Sequence, residues 1–465
     1  MINNRYLIAA IGLLLTIMSA AAPKVESYRY APEVQLSRKY AVEVEGIPVS
    51  VLTTAEPDYA VFGAKGEVTV KVTCLLHTPD SVIVRPIAKG YPYSLDGNII
   101  TIRLKPGDRV CVEPDHSQEK PLFIFVNPLE AKKAKLYKND PNTIFFEAGK
   151  IHDAGLIKPK SGQTVYVEGG AVVEGYIEQR ASGSENITIT GFGVLDARKY
   201  DGIGQQKHHP IRIDNCPSLI VENLVIVNAD LWCLYINYCD YSYITGVKII
   251  ATFSNARSGQ GTENDGIDIC TSHHVKVKGC FVYVHDDCYV IKSSAFGRVR
   301  LCKDITFTDC IGWNFQAGNT FEIGHATGGG VEDVYYKDIY SIHAGHREGY
   351  PFRRGGISIH CGAGGLIKNI NYDNVHIEAP QEHAFNISIF KPKKIENAGW
   401  IQDVYVKNLK VYRKSPKGGV ISGYDDAHKV SNVVFSNYIL EGRKVTAMED
   451  ADISNTKFSE GVRFE

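Results

Sequence analysis

An excess of charge of either sign is what this sequence most plainly lacks. Its 51 Lys and Arg stand against 52 Asp and Glu, a formal net charge of −1 over 465 residues. That balance excludes nucleic-acid binding through a strongly basic surface. It also excludes a highly charged disordered chain, since 22% of residues are charged and 44% are hydrophobic. None of the 11 cysteines forms a C-x-x-C pair, which leaves a structural zinc site without support. Their odd number leaves at least one thiol outside any intrachain disulfide. Beyond the N-terminus there is no apolar run of the roughly 20 residues that would span a bilayer.

The N-terminus reads differently. Met1–Arg5 carries a positive charge, Tyr6–Met18 is nearly all apolar, and Ser19-Ala20-Ala21-Ala22 supplies small residues before Pro23. A basic start, a short apolar stretch and a small-residue cleavage region predict a secretory signal over 1–22; a membrane anchor is the alternative, for which the run is short. The mature protein is then expected outside the cytoplasm, secreted or periplasmic, where disulfides can form.

What is abundant is β-pattern. Over 23–130 short runs alternate apolar and polar residues, as in Tyr40-Ala-Val-Glu-Val and Val68-Thr-Val-Lys-Val, and Gly, Pro, Asp and Asn punctuate them. This predicts an N-terminal β-sandwich that packs against a larger domain or shapes one wall of its cleft. From 131 to 465 one unit recurs, exemplified by Ile244-Thr-Gly-Val-Lys-Ile, Ile305-Thr-Phe-Thr-Asp-Cys and Val404-Tyr-Val-Lys-Asn-Leu, with starts 23 to 36 residues apart. The units have period two, so helical repeats are excluded, and their shared Asn or Gly fits a recurring left-handed bend. The expected fold is all-β: a right-handed parallel β-helix behind a β-sandwich. Cys270, Cys280, Cys302 and Cys310 then read as buried ladder residues in preference to disulfides.

The densest polar stretch runs from residue 262 to 292. Asp265 lies 21 residues before Asp286, about one tight coil, so stacking sets Asp265 beside Asp286 and Asp287. Folding gains nothing from three crowded carboxylates, whereas a proton shared among them is an acid–base apparatus. Calcium binding and turn capping are the alternatives.

Asn228-Ala-Asp-Leu-Trp232, Asn264-Asp-Gly-Ile-Asp-Ile269 and Asp286-Asp-Cys-Tyr-Val-Ile-Lys-Ser293 resemble glycoside hydrolase family 28, the polygalacturonases and their relatives. The related family 49 dextranases share the β-helix and the acidic triad, and often carry an N-terminal sandwich. The resemblance implies that Asp286 is the general acid and that Asp265 and Asp287 hold the water. It further implies inversion at the anomeric carbon, a polysaccharide substrate, and neither metal nor organic cofactor. Two motifs depart from the family. A Gly-His-Gly is replaced by Gly318-Asn319-Thr320, ahead of Ile323-Gly324-His325. An Arg-Ile-Lys that grips the substrate carboxylate is replaced by Ser358-Ile359-His360. A neutral glycan, or a uronic acid held differently, is therefore expected; Arg353 and Arg354 read either as substitutes for the lost charge or, as adjacent basic residues more often are, as a solvated pair. Lys292, Asn319, Glu322, His325, Ser358, His360 and Trp232 are candidate substrate-binding residues. His343, His346 and Arg347 form a candidate subsite loop, and tyrosines including Tyr235, Tyr289, Tyr336 and Tyr350 are candidate stacking residues that packing explains as well. A calcium-dependent β-helix lyase and a non-catalytic glycan-binding solenoid are the competing functions.

Overall fold

The computed structural model describes residues 24–54, 56–200, 208–251, 264–316, 318–345, 354–391 and 397–465. The expected signal segment 1–22 lies outside them, as do His346, Arg347, Tyr350 and Arg353. Among the described residues no helix is long and apolar enough to cross a membrane.

Residues 25–128 form a six-stranded and a five-stranded sheet. Strict alternation in Tyr40–Val44 and Val68–Cys74 turns one face of the smaller sheet inward, onto a core that includes Val44, Val70, Ile102 and Ile124. The larger sheet is covered on both sides, and for that reason its strands read as continuous apolar runs. All of Asp58–Ala64 is buried. Phe123 and Phe125 leave the sandwich core to meet Phe281, Tyr283 and Trp313 of the second part, with 4.8 Å between the Phe123 and Phe281 ring centroids. The eight-residue helix Ala131–Lys138 leads into that part.

From Thr143 onward every strand of the main sheet but one hairpin pair runs parallel to the strands one coil above and below. The pairings fall into three faces. On the first, a single inward column runs Val165, Ile189, Val221, Ile244, Val277, Phe307, Tyr336, Tyr372, Val406 and Phe435. Like sits on like within it: the Phe307 and Tyr336 rings lie 4.8 Å apart at 5°, and Tyr336 and Tyr372 lie 4.7 Å apart at 6°. Each fully buried side chain of this kind stabilises the fold by about 1.5–3 kcal/mol relative to exposure. Residues that tolerate positive φ turn the corner to the second face: Asn223, Gly246, Gly279, Asp309, Asp338, Asn374, Asn408 and Asn437, with φ from 52° to 66°. Side-chain amides link the corner between coils, as where Asn374 Nδ2 donates to Asp338 Oδ1 at 2.7 Å.

All 11 cysteines are free and buried. Cys280, Cys302 and Cys310 belong to the interior core, as the ladder reading expects. Cys270 does not: it follows the inward Ile269 in the strand, so it faces outward, on the rung of Lys292.

Candidate active site

The third face carries the acids. Its outward column runs Arg212, Tyr235, Asp268, Val290, Glu322, Ser358 and Asn386 on successive rungs. Asp265 lies just before the strand Ile267–Cys270, and Asp286 and Asp287 lie just before Tyr289–Lys292. Ile267 pairs with Tyr289, so Asp265 falls beside Asp287, whose N–H donates to Asp265 Oδ1 at 3.3 Å. One oxygen from each of Asp265, Asp286 and Asp287 lies within 4.8 Å of the others. Two glycines permit the close approach of these coils. A Cβ at Gly266 would meet the Cys288 carbonyl at 2.4 Å, and one at Gly318 would meet the Asp287 nitrogen at 2.2 Å.

Burial raises three of the acids together, and neighbouring charges adjust each of them. Burial, and then the charge of Asp287, pushes the Asp286 carboxyl up to about 8, with Lys292 and Arg354 pulling the other way. Burial also raises Asp265 and Asp268, opposed by the Lys292 ammonium. Burial would lower Lys292, but Asp265 and Asp268 outweigh it and hold the amine well above its ordinary range. Its Nζ lies 2.6 Å from Asp265 Oδ2, 2.5 Å from Asp268 Oδ1 and 4.1 Å from the centre of the Trp232 ring. On the next coil Asn319 donates to Asp287 Oδ1 through its backbone N–H at 2.6 Å and its Nδ2 at 3.0 Å. The Asn319 Oδ1 accepts from Gly355 N–H at 2.9 Å and from Ser358 Oγ at 2.7 Å. The three carboxylates are spaced to offer oxygens to a divalent cation as well, but the Lys292 ammonium already lies against one of them.

Asp265, Asp286, Asp287, Lys292, Asn319 and Trp232 thus come together. Glu322, Ser358 and His360 follow along the same face. His360 Nδ1 lies 2.9 Å from Glu322 Oε1 and both are buried, so the one cation on this strand is matched internally. His325 stands exposed at the end of Phe321–His325. Arg354 is 1% exposed, its Nη1 donates to the Gln316 carbonyl, and its charge bears on Asp286.

Two candidate groups are corrected. His343 lines no subsite. It is buried against the sandwich, with its Nε2 2.6 Å from Glu113 Oε1. Tyr289 and Tyr336 point into the coil and stack there, because they share a phase with the inward Ile291 and Val334 while Lys292 and Lys337 take the opposite phase.

Three contributors escaped the sequence reading. Asp268 stood in plain view in the motif, but only the register shows it facing Lys292. Asn314 Nδ2 donates to the carbonyls of His285 and Asp286 and so braces the acid-bearing turn. Glu56 comes from the sandwich: its carboxylate accepts from Tyr283 Oη at 2.9 Å and lies 3.6 Å from His285 Nε2, one residue from Asp286. No local pattern announces a partner more than two hundred residues away.

The family model for glycosyl hydrolases family 28 matches residues 179–458, a stretch that holds every one of the acids. The chain belongs to this family. Among curated relatives of this family 28 protein, an endopolygalacturonase of Emericella nidulans is 26% identical over 236 residues, 50% of this chain and 56% of that one. Endopolygalacturonase I of Aspergillus aculeatus is 27% identical over 183 residues, 34% of this chain and 47% of the relative. The family 28 chain spans about a third to somewhat over half the length of the curated relatives it matches. Among solved structures, Dex49A from Penicillium minioluteum superposes with a TM-score of 0.62 at 15% identity, over 95% of this chain and 96% of its own. An exopolygalacturonase from Thermotoga maritima gives a TM-score of 0.51 at 19% identity, over 70% and 84%. At these identities the likeness speaks to fold: a right-handed parallel β-helix.

Proposed function

We propose that this protein hydrolyses glycosidic bonds of a polysaccharide by acid–base catalysis with inversion. The observation that carries the proposal is the convergence of Asp265, Asp286 and Asp287, with Asp286 held up to about 8 and hence protonated at neutral pH. In the proposed reaction Asp286 gives its proton to the glycosidic oxygen as the bond to the anomeric carbon breaks. A water held between Asp265 and Asp287 attacks that carbon from the opposite face, and one of the pair takes its proton.

The close approach of the carboxylates makes the product anomer the deciding measurement. Inverting sites with one acid and one base leave roughly 6.5–9.5 Å between them for the water, and retaining sites about 5–5.5 Å. A pair of bases flanking one water removes the need for that gap. NMR of the first-formed product, from a panel of pectin fragments, dextrans, galactans and host-type glycans, should show the inverted anomer; a retained anomer overturns the mechanism. Activity is expected to survive a chelator, since the residues named suffice for every proton transfer. Loss of turnover on chelation, restored by calcium, would count against it.

The substrate proposed is neutral at the position facing Ser358 and His360. Neither side chain offers a spare cation, and Glu322 adds a carboxylate, so a uronate there would lack the charge-assisted contacts it needs. Secretion or periplasmic export is proposed from residues 1–22, and N-terminal sequencing of the mature protein tests it.

A further inference from the structure

We propose that Phe296 and Trp232 form a stacking subsite for the pyranose ring of a neutral sugar, next to the acids on their N-terminal side. The inference deepens the glycan-hydrolase reading and rests on it.

The position follows from the register. Cys233 N–H donates to the Asp265 carbonyl at 2.8 Å, so Trp232 stands on the rung beside an acid. The Lys292 ammonium touches both that acid and the Trp232 ring. Phe296 extends the aromatic surface away from the acids, its ring centroid 5.7 Å from that of Trp232 and 5.6 Å from that of the buried Tyr235. It sits at the tip of a hairpin between Ser294–Ala295 and Arg298–Val299, and it is 62% exposed.

Its backbone lies in the left-handed region, as does that of Tyr241 and Phe458 elsewhere in the chain. Phe296 and Gly297 have φ of 49° and 77°. Glycine adopts such angles freely, but a bulky aromatic does so at a cost. Folding gains little from a strained residue whose ring is left largely in water. Arg298 Nη1 donates to Asn215 Oδ1 at 2.7 Å and anchors the hairpin, so the projection is held in place. A large aromatic kept exposed beside a catalytic cluster fits a ligand with an apolar face.

The surrounding charges select the ligand. Arg212 lies against the Phe296 ring with its guanidinium carbon 4.9 Å from the ring centre, while its Nε and Nη2 both donate to Asp214 Oδ2 at 3.3 Å. Arg180 also pairs with Asp214, at 3.4 Å. His209 is bound through Nδ1 to the Trp232 carbonyl, and burial lowers its pKa to about 4, so it is neutral near pH 7. The guanidinium beside the platform shares the one Asp214 carboxylate with Arg180, and the positive charge left over is opposed by the acids next to the platform, so among the described residues no free cation is dedicated to an anionic ligand. The C–H face of an uncharged pyranose stacks on such a surface by burying apolar area without a matching charge.

The test separates binding from turnover. Neutral gluco- and galacto-configured oligosaccharides of two to six residues, and oligogalacturonates of equal length, are titrated calorimetrically into Asp286→Asn protein with and without Phe296→Ala. Phe296→Ala is expected to raise Kd for the neutral series about tenfold, and Phe296→Trp to restore it. In the otherwise wild-type enzyme Phe296→Ala should raise KM with little change in kcat. An unchanged Kd, or tighter binding of oligogalacturonate than of every neutral probe, overturns the subsite. Phe296-dependent binding without hydrolysis of any probe by wild-type protein would retire the hydrolase reading and leave the subsite standing. Hydrolysis that ignores Phe296 would do the reverse.

Discussion

Asp286→Asn is expected to lower kcat by about 10²–10⁴-fold while leaving glycan binding close to wild type. Positioned general acids contribute that range, and an amide of the same shape cannot give a proton to the leaving oxygen. The fold should not suffer. Burial and the Asp287 charge keep the Asp286 carboxyl protonated in the folded protein at neutral pH, where the unfolded chain leaves it ionised. A neutral side chain at 286 removes that penalty, so Tm is expected to stay level or rise slightly. Wild-type kcat/KM should fall with increasing pH above about 8. The sign follows from the role: an acid acts only while protonated, and rising pH through the pKa removes that proton. This alkaline limb should vanish in Asp286→Asn, whose residual rate no longer depends on the group. Turnover within about tenfold of wild type across the pH range would remove Asp286 from the acid role, because a positioned general acid typically contributes about 10²-fold or more.

The clustering of the acids was legible in the sequence because a β-helix converts sequence distance into vertical neighbourhood, while their separate roles came only from the family resemblance. Twenty-two residues separate Asp265 from Asp287, one full coil, and the backbone contact between them is the result. Repetition made the fold legible in the same way: each unit repeats the inward column and the αL corner, so noise in one coil is corrected by the next. What stayed hidden is what does not repeat. Glu56 reaches His285 from another sheet system altogether, and Arg354 lies buried beside the acids although its neighbour Arg353 made it read as half of a solvated pair. His343 read as a loop residue of the cleft, yet its strand, Val331–Ala344, runs on to a second face that the sandwich covers. Alternation specifies that residues alternate. It does not specify what covers the outward set.

Lys292→Met carries the largest expected effect on stability. Asp265 is 4% exposed and Asp268 not at all, and Lys292 supplies both with a charge partner. Removing one member of a buried ion cluster costs about 3–5 kcal/mol, because the remaining charges stay desolvated. The loss should depend on pH in a definite direction. Without the ammonium, the folded-state pKa of Asp265 and Asp268 rises further above the unfolded value near 4. The folded variant then holds protons that the unfolded chain has released. Its stability relative to wild type therefore declines as pH climbs through the wild-type folded pKa values of these carboxyls, which burial already raises, and recovers as pH falls and both carboxyls become neutral in both proteins. Thermal melts of the two proteins at pH 4.5 and 8 should show the gap widening at the higher pH. Activity reports the same cause separately. A base with a still higher pKa is ionised over a narrower range, so the acidic limb of kcat/KM should move to higher pH. Lys292→Arg restores the charge but not the compact three-way contact, and should recover stability more fully than rate. Equal melting temperatures for Lys292→Met and wild type at both pH values would show that Asp265 and Asp268 are already neutral in the native protein, and Asp265 could then no longer serve as a base.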